Sequence, residues 1–314
     1  MGNDTERTSV VISTKGRVTD LRRCLASLAR QTLLPFEVVI VDAGDIPDPE
    51  LFFQPFRKFL TIRYIRAQVG LTCARNTGAR ESKGELILFL DDDTELEPDY
   101  LEKIIEVFSR DTGHRVGGVS GKIISLREGY DIPLSVKIRL AGKKIIGNLF
   151  FLPVEKNGCF HPGGFPTYPP SVTRDIIPVQ CLYGANMAFR HEVLDRYPFD
   201  ETLEGYCFME DDDIAYRISR EYVNMYTPCA RLRHFESPVS RDQDFFRKKM
   251  LIKNYHYLFR KNIPRSITRT VIFWWSVLGL VITDFLTGNP EGIKGLFAGI
   301  ISVFRGSSRN DRCI

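Results

Sequence analysis

The chain has 314 residues, of which 43% are hydrophobic and 26% are charged, and its formal net charge at pH 7 is +4. This length predicts about two domains, or one α/β domain with an appendage, and the hydrophobic fraction is sufficient for a folded core. The small net charge does not support nucleic-acid binding. Seven scattered cysteines without a C-x-x-C pair indicate reduced thiols in a cytosolic setting. The polar residues 1–6 lack the apolar segment of a signal peptide.

Short apolar runs alternate with helical periodicity over the first hundred residues. The runs predict strands at 9–12, 38–41, 61–65 and 85–90, and the periodicity predicts helices from Thr19 or Asp20 to 28, around 72–82, and from Pro98 to 108. Strands that alternate with helices indicate an α/β fold with a mostly parallel sheet. Gly16 stands alone after the first strand, so neither a dinucleotide fingerprint nor a P-loop is present.

The strand at 85–90 ends in three carboxylates, Asp91, Asp92 and Asp93. In an extended chain Asp91 and Asp93 point to one side and Asp92 to the other. Open α/β sheets bind ligands beyond the carboxyl ends of their strands, which is where these acids fall. Neighbouring carboxylates repel each other unless a cation lies between them, and a divalent cation that also holds phosphates is the candidate. The alternative is a solvated acidic loop that continues as a helical turn over 94–97.

Six short blocks resemble those of family 2 glycosyltransferases, and they occur in the order found in that family. The blocks are SVVISTKGR (9–17), VIVDAGD (39–45), ARNTG (74–78), GELILFLDDD (84–93), GANMAFR (184–190) and EDDDIAYR (210–217). The resemblance implies the GT-A fold, a nucleotide-sugar donor, inverting transfer, and Mg or Mn as cofactor. Ser13 and Gly16 depart from the usual P-T-x-N-R of the first block, and VDAGD departs from the usual second block; these changes bear on the base and sugar preference.

The resemblance also implies roles for particular residues. These are donor binding by Thr14, Asp42, Arg75 and Asp91; acceptor or sugar binding by Gly184 and Asn186; metal binding by Asp93, Asp91 and His234; and catalysis by Asp211 as general base, with Glu210 as the fallback. Two of these assignments carry plain alternatives. Asp42 has the alternative of capping the loop that follows it, Arg75 that of an ordinary surface arginine, and Asp92 is interpreted as structural.

The second acidic centre begins with Glu210. Ile214, Ile218 and Tyr222 recur at helical spacing, so these acids lie at the start of a helix, where negative charge is favourable. Asp213 and Arg217 form an i,i+4 pair. A well-capped helix is the alternative interpretation, but there are more acids here than capping requires. An acceptor hydroxyl is a poor nucleophile near neutral pH, and a carboxylate base within hydrogen-bond reach would activate it.

The segment 118–180 mixes short apolar pieces with loops rich in glycine and proline. We interpret it as a loop-rich insertion over a binding face, because acceptor specificity tends to reside on loops. His161 lies among these loops and is interpreted as a packing or surface residue rather than a ligand.

The last fifth of the chain is first basic, over 241–270, and then apolar, over 271–283 and 296–304. Neither apolar run reaches the roughly 20 residues of a spanning helix. The pattern therefore predicts shallow, monotopic attachment to an anionic leaflet, with Asp284 near the headgroups. The alternative is a pair of helices packed on the catalytic domain.

Together these observations predict two regions and one favoured function. Residues 1–240 would form a GT-A domain, with a donor half over about 1–120 and an acceptor half over 121–240, and 241–314 would form a helical membrane-associating region. The favoured function is a glycosyltransferase of cell-envelope polysaccharide biosynthesis, acting on a lipid-linked or polysaccharide acceptor at the inner face of the cell membrane, with no nucleic-acid partner. The alternatives are a nucleotidyltransferase and a non-catalytic nucleotide-sugar-binding scaffold.

Overall fold

A computed structural model describes residues 7–44, 46–68, 70–124, 134–170, 172–203, 207–236 and 244–305. The polar N-terminus, Asp45 of the second block and residues 241–243 of the basic segment lie outside these ranges. The elements in chain order are β1 (Thr8–Thr14), α1 (Val18–Leu28), β2 (Glu37–Asp42), α2 (Pro49–Phe53), β3 (Ile62–Arg66), α3 (Leu71–Glu81), β4 (Leu86–Asp91), β5 (Thr94–Leu96), α4 (Tyr100–Ser109), β6 (Val116–Ile124), α5 (Leu134–Leu149), β7 (Ile177–Val179), β8 (Asn186–Arg190), α6 (His191–Arg196), α7 (Glu210–Ile218), β9 (Val223–His234), α8 (Asp244–Asn262), α9 (Ile267–Leu286) and α10 (Pro290–Phe304).

In the described part of the chain, nine strands form one mixed sheet. Its order is β3-β2-β1-β4-β8-β6-β9-β5, and β7 pairs with β9. β3, β2, β1 and β4 are parallel, as the alternating pattern predicts, and β8 then runs antiparallel to β4. The register places Thr14 opposite Asp42 and Ser13 opposite Asp91. The α/β class with a mostly parallel central sheet is therefore confirmed, and the carboxyl ends of β1, β2 and β4 meet at one edge.

The strands are buried on both faces because helices cover each side of the sheet. Val10 of β1 packs on one side with Leu25 of α1, whereas Val11 faces the other side with Ala74 of α3. Burying a side chain of this size stabilises the fold by about 1.5–3 kcal/mol. On the second side, a Cβ added at Gly78 would lie 2.3 Å from Val11 Cγ1, so glycine lets α3 approach the sheet closely enough to hold Arg75 inside it.

Several predicted boundaries differ from the structure. The first helix begins at Val18, and Thr19 and Asp20 do not cap it, because Arg17 holds the N-cap position. The helix expected from Pro98 begins instead at Tyr100. After Asp93 the chain does not form a helical turn: Thr94–Leu96 is a strand that pairs antiparallel with β9. This pairing is what brings the end of β9 beside the acidic stretch.

The chain divides into two compact units, and the division differs from the predicted domain boundary at 240. The first unit comprises Met1–Glu128, Ser171–Glu204 and Glu210–Arg241, and the second comprises Gly129–Pro170, Gly205–Met209 and Asp242–Ile314. Side-chain packing gives the reason for the difference. The Tyr255 hydroxyl donates to the Gly163 carbonyl at 2.6 Å, and Phe150 stacks on Trp275 with ring centroids 4.7 Å apart. Part of the loop-rich segment therefore belongs with the C-terminal helices.

The second unit is built around α8, α9 and α10. α9 has 20 residues, or about 30 Å at 1.5 Å per residue, so the helix extends beyond the apolar run at 271–283 at both ends and is longer than that run indicated. In the described part of the chain, one helix is long and apolar enough to cross a membrane, and this helix is α9. Of its most apolar stretch, 28% is buried within the protein. Asp284 does not lie at an exposed position suited to headgroups: it is buried, and it accepts from Lys248 Nζ at 2.8 Å.

His161 also belongs to this unit and has the packing role that the sequence indicates. Its ring lies 5.3 Å from the ring of Phe151, and its backbone N–H donates to the Phe165 carbonyl. Burial, together with the charge of Lys156, lowers the pKa of the imidazole. A neutral, buried ring of this kind contributes to packing.

Candidate functional site

Two carboxylates and one imidazole meet at the carboxyl edge of the sheet. Asp91 ends β4, Asp93 follows it, and His234 ends β9. His234 Nε2 lies 3.0 Å from Asp93 Oδ1 and 3.7 Å from Asp91 Oδ2. Among the described residues, these three form a group whose ligand atoms all lie within 4.8 Å of one another. The pairing of β5 with β9 produces the group, because it places His234 opposite Thr94.

This donor set suits a divalent cation. Carboxylate oxygens are the ligands that Mg and Mn prefer, and imidazole is a common additional ligand for transition metals. The pKa of His234 responds to the same surroundings: burial lowers it, but the hydrogen bond to Asp93 and the charges of Asp91 and Asp93 outweigh burial and raise it. The cluster therefore favours positive charge, and the residues present fit the cation that the sequence resemblance implies.

Asp92 is not a member of this cluster and has the structural role that the sequence indicates, although it lies in the turn after β4 rather than in the strand. Its carboxylate accepts from Thr14 Oγ1 at 2.7 Å and from Arg17 Nη1 at 3.0 Å. Burial raises the pKa of Asp92 to about 7, although Arg17 and Thr14 act to lower it. The Thr14 hydroxyl thus holds the loop after β1 against the loop after β4. Its predicted contact with the donor stays a prediction.

Asp42 is fully buried at the end of β2. Its carboxylate accepts from Gly44 N at 2.7 Å, from Ile46 N at 3.1 Å and from the Tyr64 hydroxyl at 3.0 Å. These contacts match the loop-capping alternative. Donor binding by Asp42 stays a prediction, and it would have to use the loop that the carboxylate organises.

Arg75 lies between the two acidic centres, and the alternative of an ordinary surface arginine is wrong. The residue is 3% exposed. Its Nη1 donates to Glu210 Oε1 at 2.6 Å, and its Nη2 donates to the Gly184 carbonyl at 2.9 Å and to Asp91 Oδ1 at 3.3 Å. Burial lowers the pKa of the guanidinium, but the charges of Glu210 and Asp91 outweigh burial and raise it. Arg75 is therefore a charged link inside the site.

Asp211 is the least buried of the four carboxylates at the start of α7. Its Oδ2 accepts from Gly184 N at 3.0 Å, and its Oδ1 accepts from Asp212 N at 2.9 Å. Glu210 is buried against Arg75; burial and the charge of Asp211 raise the pKa of Glu210 to about 8. Burial also raises the pKa of Asp211, against the effect of Arg75 and the two N–H groups. Of the pair, Asp211 is the better placed to meet an acceptor.

The two residues predicted on the acceptor side have contacts within the protein. A Cβ at Gly184 would lie 2.6 Å from Asp211 Oδ2, so the absence of a side chain here makes room for the carboxylate. Asn186 is fully buried, and its Oδ1 accepts from Gly121 N at 2.7 Å, which joins β8 to β6. A sugar contact by the Asn186 side chain, as predicted, would require this buried position to open.

Asp213 and Arg217 form the ion pair that their spacing predicts, with Nε 2.9 Å from Oδ2. Arg217 also donates to the Pro198 carbonyl at 2.7 Å. The pair thus fastens α7 to the loop before it, and its role is structural.

Sequence reasoning assigned no role to Arg17. Its Nη1 lies 3.0 Å from Asp92 Oδ1 and 3.5 Å from Asp93 Oδ2, so one guanidinium touches two of the three adjacent acids. The signal was available in the first block, which ends in this arginine directly after β1. Because β1 pairs with β4, a basic residue after one strand falls beside the acids after the other.

The buried acids should make the stability of the fold depend on pH. Asp92, Glu210 and Asp212 have pKa values above those of the unfolded chain, and the pKa of Asp212 is raised by burial and by the charges of its acidic neighbours. In the folded state these groups therefore keep protons that the unfolded chain releases above about pH 4. The stability that the folded state gains from keeping these protons is fully present below about pH 4 and is lost as pH rises through the folded pKa values. Each group changes the free energy of unfolding by roughly 1.4 kcal/mol per pH unit inside its window.

We therefore expect the melting temperature of the metal-free protein to fall between pH 5.5 and pH 8, and Asp212→Asn to reduce that fall. Asn resembles the protonated carboxyl, and Asp212 Oδ1 has no hydrogen-bond partner among the described residues. Melting curves by circular dichroism across this range measure the effect. Asp195→Asn, on the exposed surface of α6, is the matched control. A pH dependence in Asp212→Asn equal to that of the wild type would contradict the expectation.

Parts of the chain are similar to known glycosyltransferases. The family model "Glycosyl transferase family 2" matches residues 9–158. An uncharacterized glycosyltransferase of Bacillus subtilis, YwdF, is 34% identical over 134 residues, which are 41% of this chain and 48% of that protein. The chondroitin synthase of Escherichia coli is 25% identical over 269 residues, covering 81% of this chain and 39% of that protein. The chain thus spans about half, or less, of the length of these curated relatives.

A solved structure shares the fold over nearly the whole chain. The mannosyltransferase PcManGT from Pyrobaculum calidifontis, in complex with GDP-Man and Mn²⁺, superposes with a TM-score of 0.55 at 16% identity, covering 98% of this chain and 77% of that one. At this identity the likeness is one of fold, and it confirms the GT-A fold implied by the sequence blocks. The family-model match over residues 9–158 covers just under half of the chain, and over that part the sequence is similar to glycosyl transferase family 2.

Proposed function

We propose that the protein transfers a sugar from a nucleotide-sugar donor to an acceptor hydroxyl, with a divalent cation and with inversion at the anomeric carbon. The observation that carries the proposal is the joining of two acidic centres at one edge of the sheet. Asp91, Asp93 and His234 make a cation-type cluster, and Asp211 is the least buried carboxylate at the start of α7. Arg75 contacts both sides.

Asp91, Asp93 and His234 would hold the cation, Mg or Mn. When bound, it would neutralise negative charge on the diphosphate leaving group. The presence of GDP-Man and Mn²⁺ in the structurally similar mannosyltransferase supports this assignment. Arg17 adds a second positive group beside Asp93.

Asp211 would take the proton from the acceptor hydroxyl. Two backbone N–H groups, from Gly184 and Asp212, hold its oxygens in place, and each oxygen keeps a further lone pair for a proton. The pKa of Asp211 is raised by burial, which brings it closer to neutral pH and makes it a more effective base once ionised. A base and a leaving-group site formed by separate side chains suit one direct displacement, and one displacement inverts the anomeric centre.

We further propose that the acceptor is a lipid-linked sugar or a polysaccharide, and that the protein works at the inner face of the cell membrane. The similarity to a chondroitin synthase supports a glycan acceptor. The second unit supports the membrane. Val271, Leu278 and Phe285 recur every seven residues on α9 and are 61%, 45% and 73% exposed. Side chains at this spacing share one helical face, and an exposed apolar face suits a bilayer surface.

Charge supports the same placement. Arg260 in the last turn of α8 and Arg265 in the turn before α9 are both exposed, and they suit an anionic leaflet. Asp284, near the other end of α9, pairs with Lys248 of α8. Spanning by α9 would either break this ion pair or carry the basic helix α8 with it, and both are costly, so we favour attachment along the surface.

We expect the double substitution Val271→Asp with Leu278→Asp to reduce binding to anionic phospholipid vesicles, because it places two charges on the proposed membrane face. Sedimentation with vesicles of phosphatidylglycerol and phosphatidylcholine measures the bound fraction. Val172→Asp is the control, since Val172 is 81% exposed and lies in the first unit. Equal sedimentation of the double variant and the control would contradict the proposed face.

A panel of nucleotide-sugars, each tested with Mg²⁺, with Mn²⁺ and with a chelator, would test the activity. A true donor at about 100 times its dissociation constant should add about 2.7 kcal/mol to the free energy of unfolding, and this gain should disappear with the chelator. Incubation with that donor and an acceptor should then release the nucleoside diphosphate, and NMR of the product should show the inverted anomer. Release of pyrophosphate would instead indicate a nucleotidyltransferase.

A further inference from the structure

The guanidinium of Arg75 makes all its strong contacts inside the protein. It lies 5.4 Å from the ring of Phe199. Nη1 donates to Glu210 at 2.6 Å, while Nη2 donates both to the Gly184 carbonyl at 2.9 Å and to Asp91 at 3.3 Å. A planar guanidinium points its donors in fixed directions, so these three acceptors are held in a fixed relation to one another.

Two of these three partners make a further contact on their other side. Asp91 accepts from Arg75 through Oδ1, and its Oδ2 lies 3.7 Å from His234 Nε2. The Gly184 residue accepts from Arg75 at its carbonyl and donates from its N–H to Asp211 Oδ2 at 3.0 Å. Arg75 thus contacts one member of the cation cluster directly and is connected to the proposed base through Gly184.

We propose that Arg75 is a positioning residue that sets the cation side and the base side of the site together. The inference rests on the proposed function for the meaning of the base side. Nη2 orients Asp91 as a ligand and also holds Gly184, whose N–H in turn holds Asp211, while Nη1 holds Glu210. This role differs from the contact with donor phosphates that the sequence resemblance implies, because the Nη donors are directed at protein groups.

Arg75→Lys tests the proposal because lysine keeps the charge but has no planar fork and cannot reproduce the three contacts. We expect the affinity for Mn²⁺ alone, measured by calorimetry without donor, to fall by roughly 10–100-fold, as for lost partners of metal ligands. We also expect kcat to fall by a factor of that order. The dissociation constant for Mn²⁺ is read without any turnover, so it separates failure of this proposal from failure of the proposed function.

Arg190→Lys is the matched control. Arg190 is also buried, lies 5.2 Å from the ring of Phe108, and pairs with Asp111 at 3.4 Å, but it ends β8 at the far side of the sheet from Asp91. A merely structural role for Arg75 would lower the melting temperature in both variants and leave the Mn²⁺ affinity and kcat of the folded proteins unchanged. Equal Mn²⁺ affinities for Arg75→Lys and Arg190→Lys would overturn the proposal.

Glu210→Gln provides a second test if Arg75→Lys does not fold. It keeps the shape of the side chain and a hydrogen-bond acceptor for Arg75 but can no longer ionise. We expect kcat to fall by about tenfold, within the range for an outer partner of a site residue, and by less than in Asp211→Asn. The Mn²⁺ dissociation constant should stay within about threefold of the wild type, because the arm on Asp91 is retained. An unchanged kcat, or a loss as large as that of Asp211→Asn, would contradict the positioning role.

Discussion

Asp211→Asn is expected to lower kcat by roughly 10²–10⁴-fold, the range for a lost general base, while the dissociation constant of the donor changes little. The physical reason is that the amide cannot accept the proton of the acceptor hydroxyl, whereas it fills nearly the same space. One Asn atom can still accept from Gly184 N or Asp212 N, the two groups that hold the carboxylate. Steady-state kinetics with saturating donor, together with calorimetry of donor binding, separate the two effects.

Asp195→Asn is the control for this experiment, because it makes the same chemical change on the exposed surface of α6. A large loss in Glu210→Gln with near-normal turnover in Asp211→Asn would mean that Glu210 is the base. The structure argues against that outcome, since Glu210 Oε1 is 2.6 Å from Arg75 Nη1 and the residue is buried. The pH dependence of kcat gives a second reading: activity should rise with pH as the raised pKa of Asp211 is passed.

Asp93→Ala is expected to abolish the cation-dependent part of donor binding. Asp93 is buried, lies 3.0 Å from His234, and would supply a ligand oxygen between the sheet and the phosphates. Calorimetric titration of the donor with Mn²⁺ and with a chelator measures this part as the difference between the two affinities. Asp93→Asn should show the same direction of change with less disturbance of packing, because it keeps the shape of the side chain. Equal donor affinities in Asp93→Ala and in wild type, with Mn²⁺ present, would remove Asp93 from the cation site.

Asp92→Ala is not a silent control for Asp93→Ala, although the alternation of side chains suggests one. Its carboxylate holds Thr14 and Arg17, and Arg17 is the residue that also contacts Asp93. Removing one partner of a buried ion pair costs on the order of 3 kcal/mol. We therefore expect Asp92→Ala to unfold at lower temperature, and Asp195→Ala is the better control.

The sequence alone determined the class of the fold and the strands that carry the first acids. Apolar runs and helical spacing depend on near neighbours along the chain, so the strand that ends in Asp91 and the helix that starts with Glu210 could both be predicted. The same holds for the i,i+4 pair of Asp213 and Arg217, which the structure confirms. The order of six blocks was enough to predict the GT-A fold.

Only the tertiary structure decided which atoms face the reaction site. Arg75 meets Gly184 and Glu210, which are 109 and 135 positions away along the chain, and no local pattern specifies such a contact. The burial of Asn186 in the sheet and the loop-capping contacts of Asp42 were likewise not predictable, because they depend on which strands become neighbours. Local periodicity reports which face of an element is apolar. The partners of a buried charge are set by packing, since desolvation makes an unpaired charge too costly wherever the chain brings it inside.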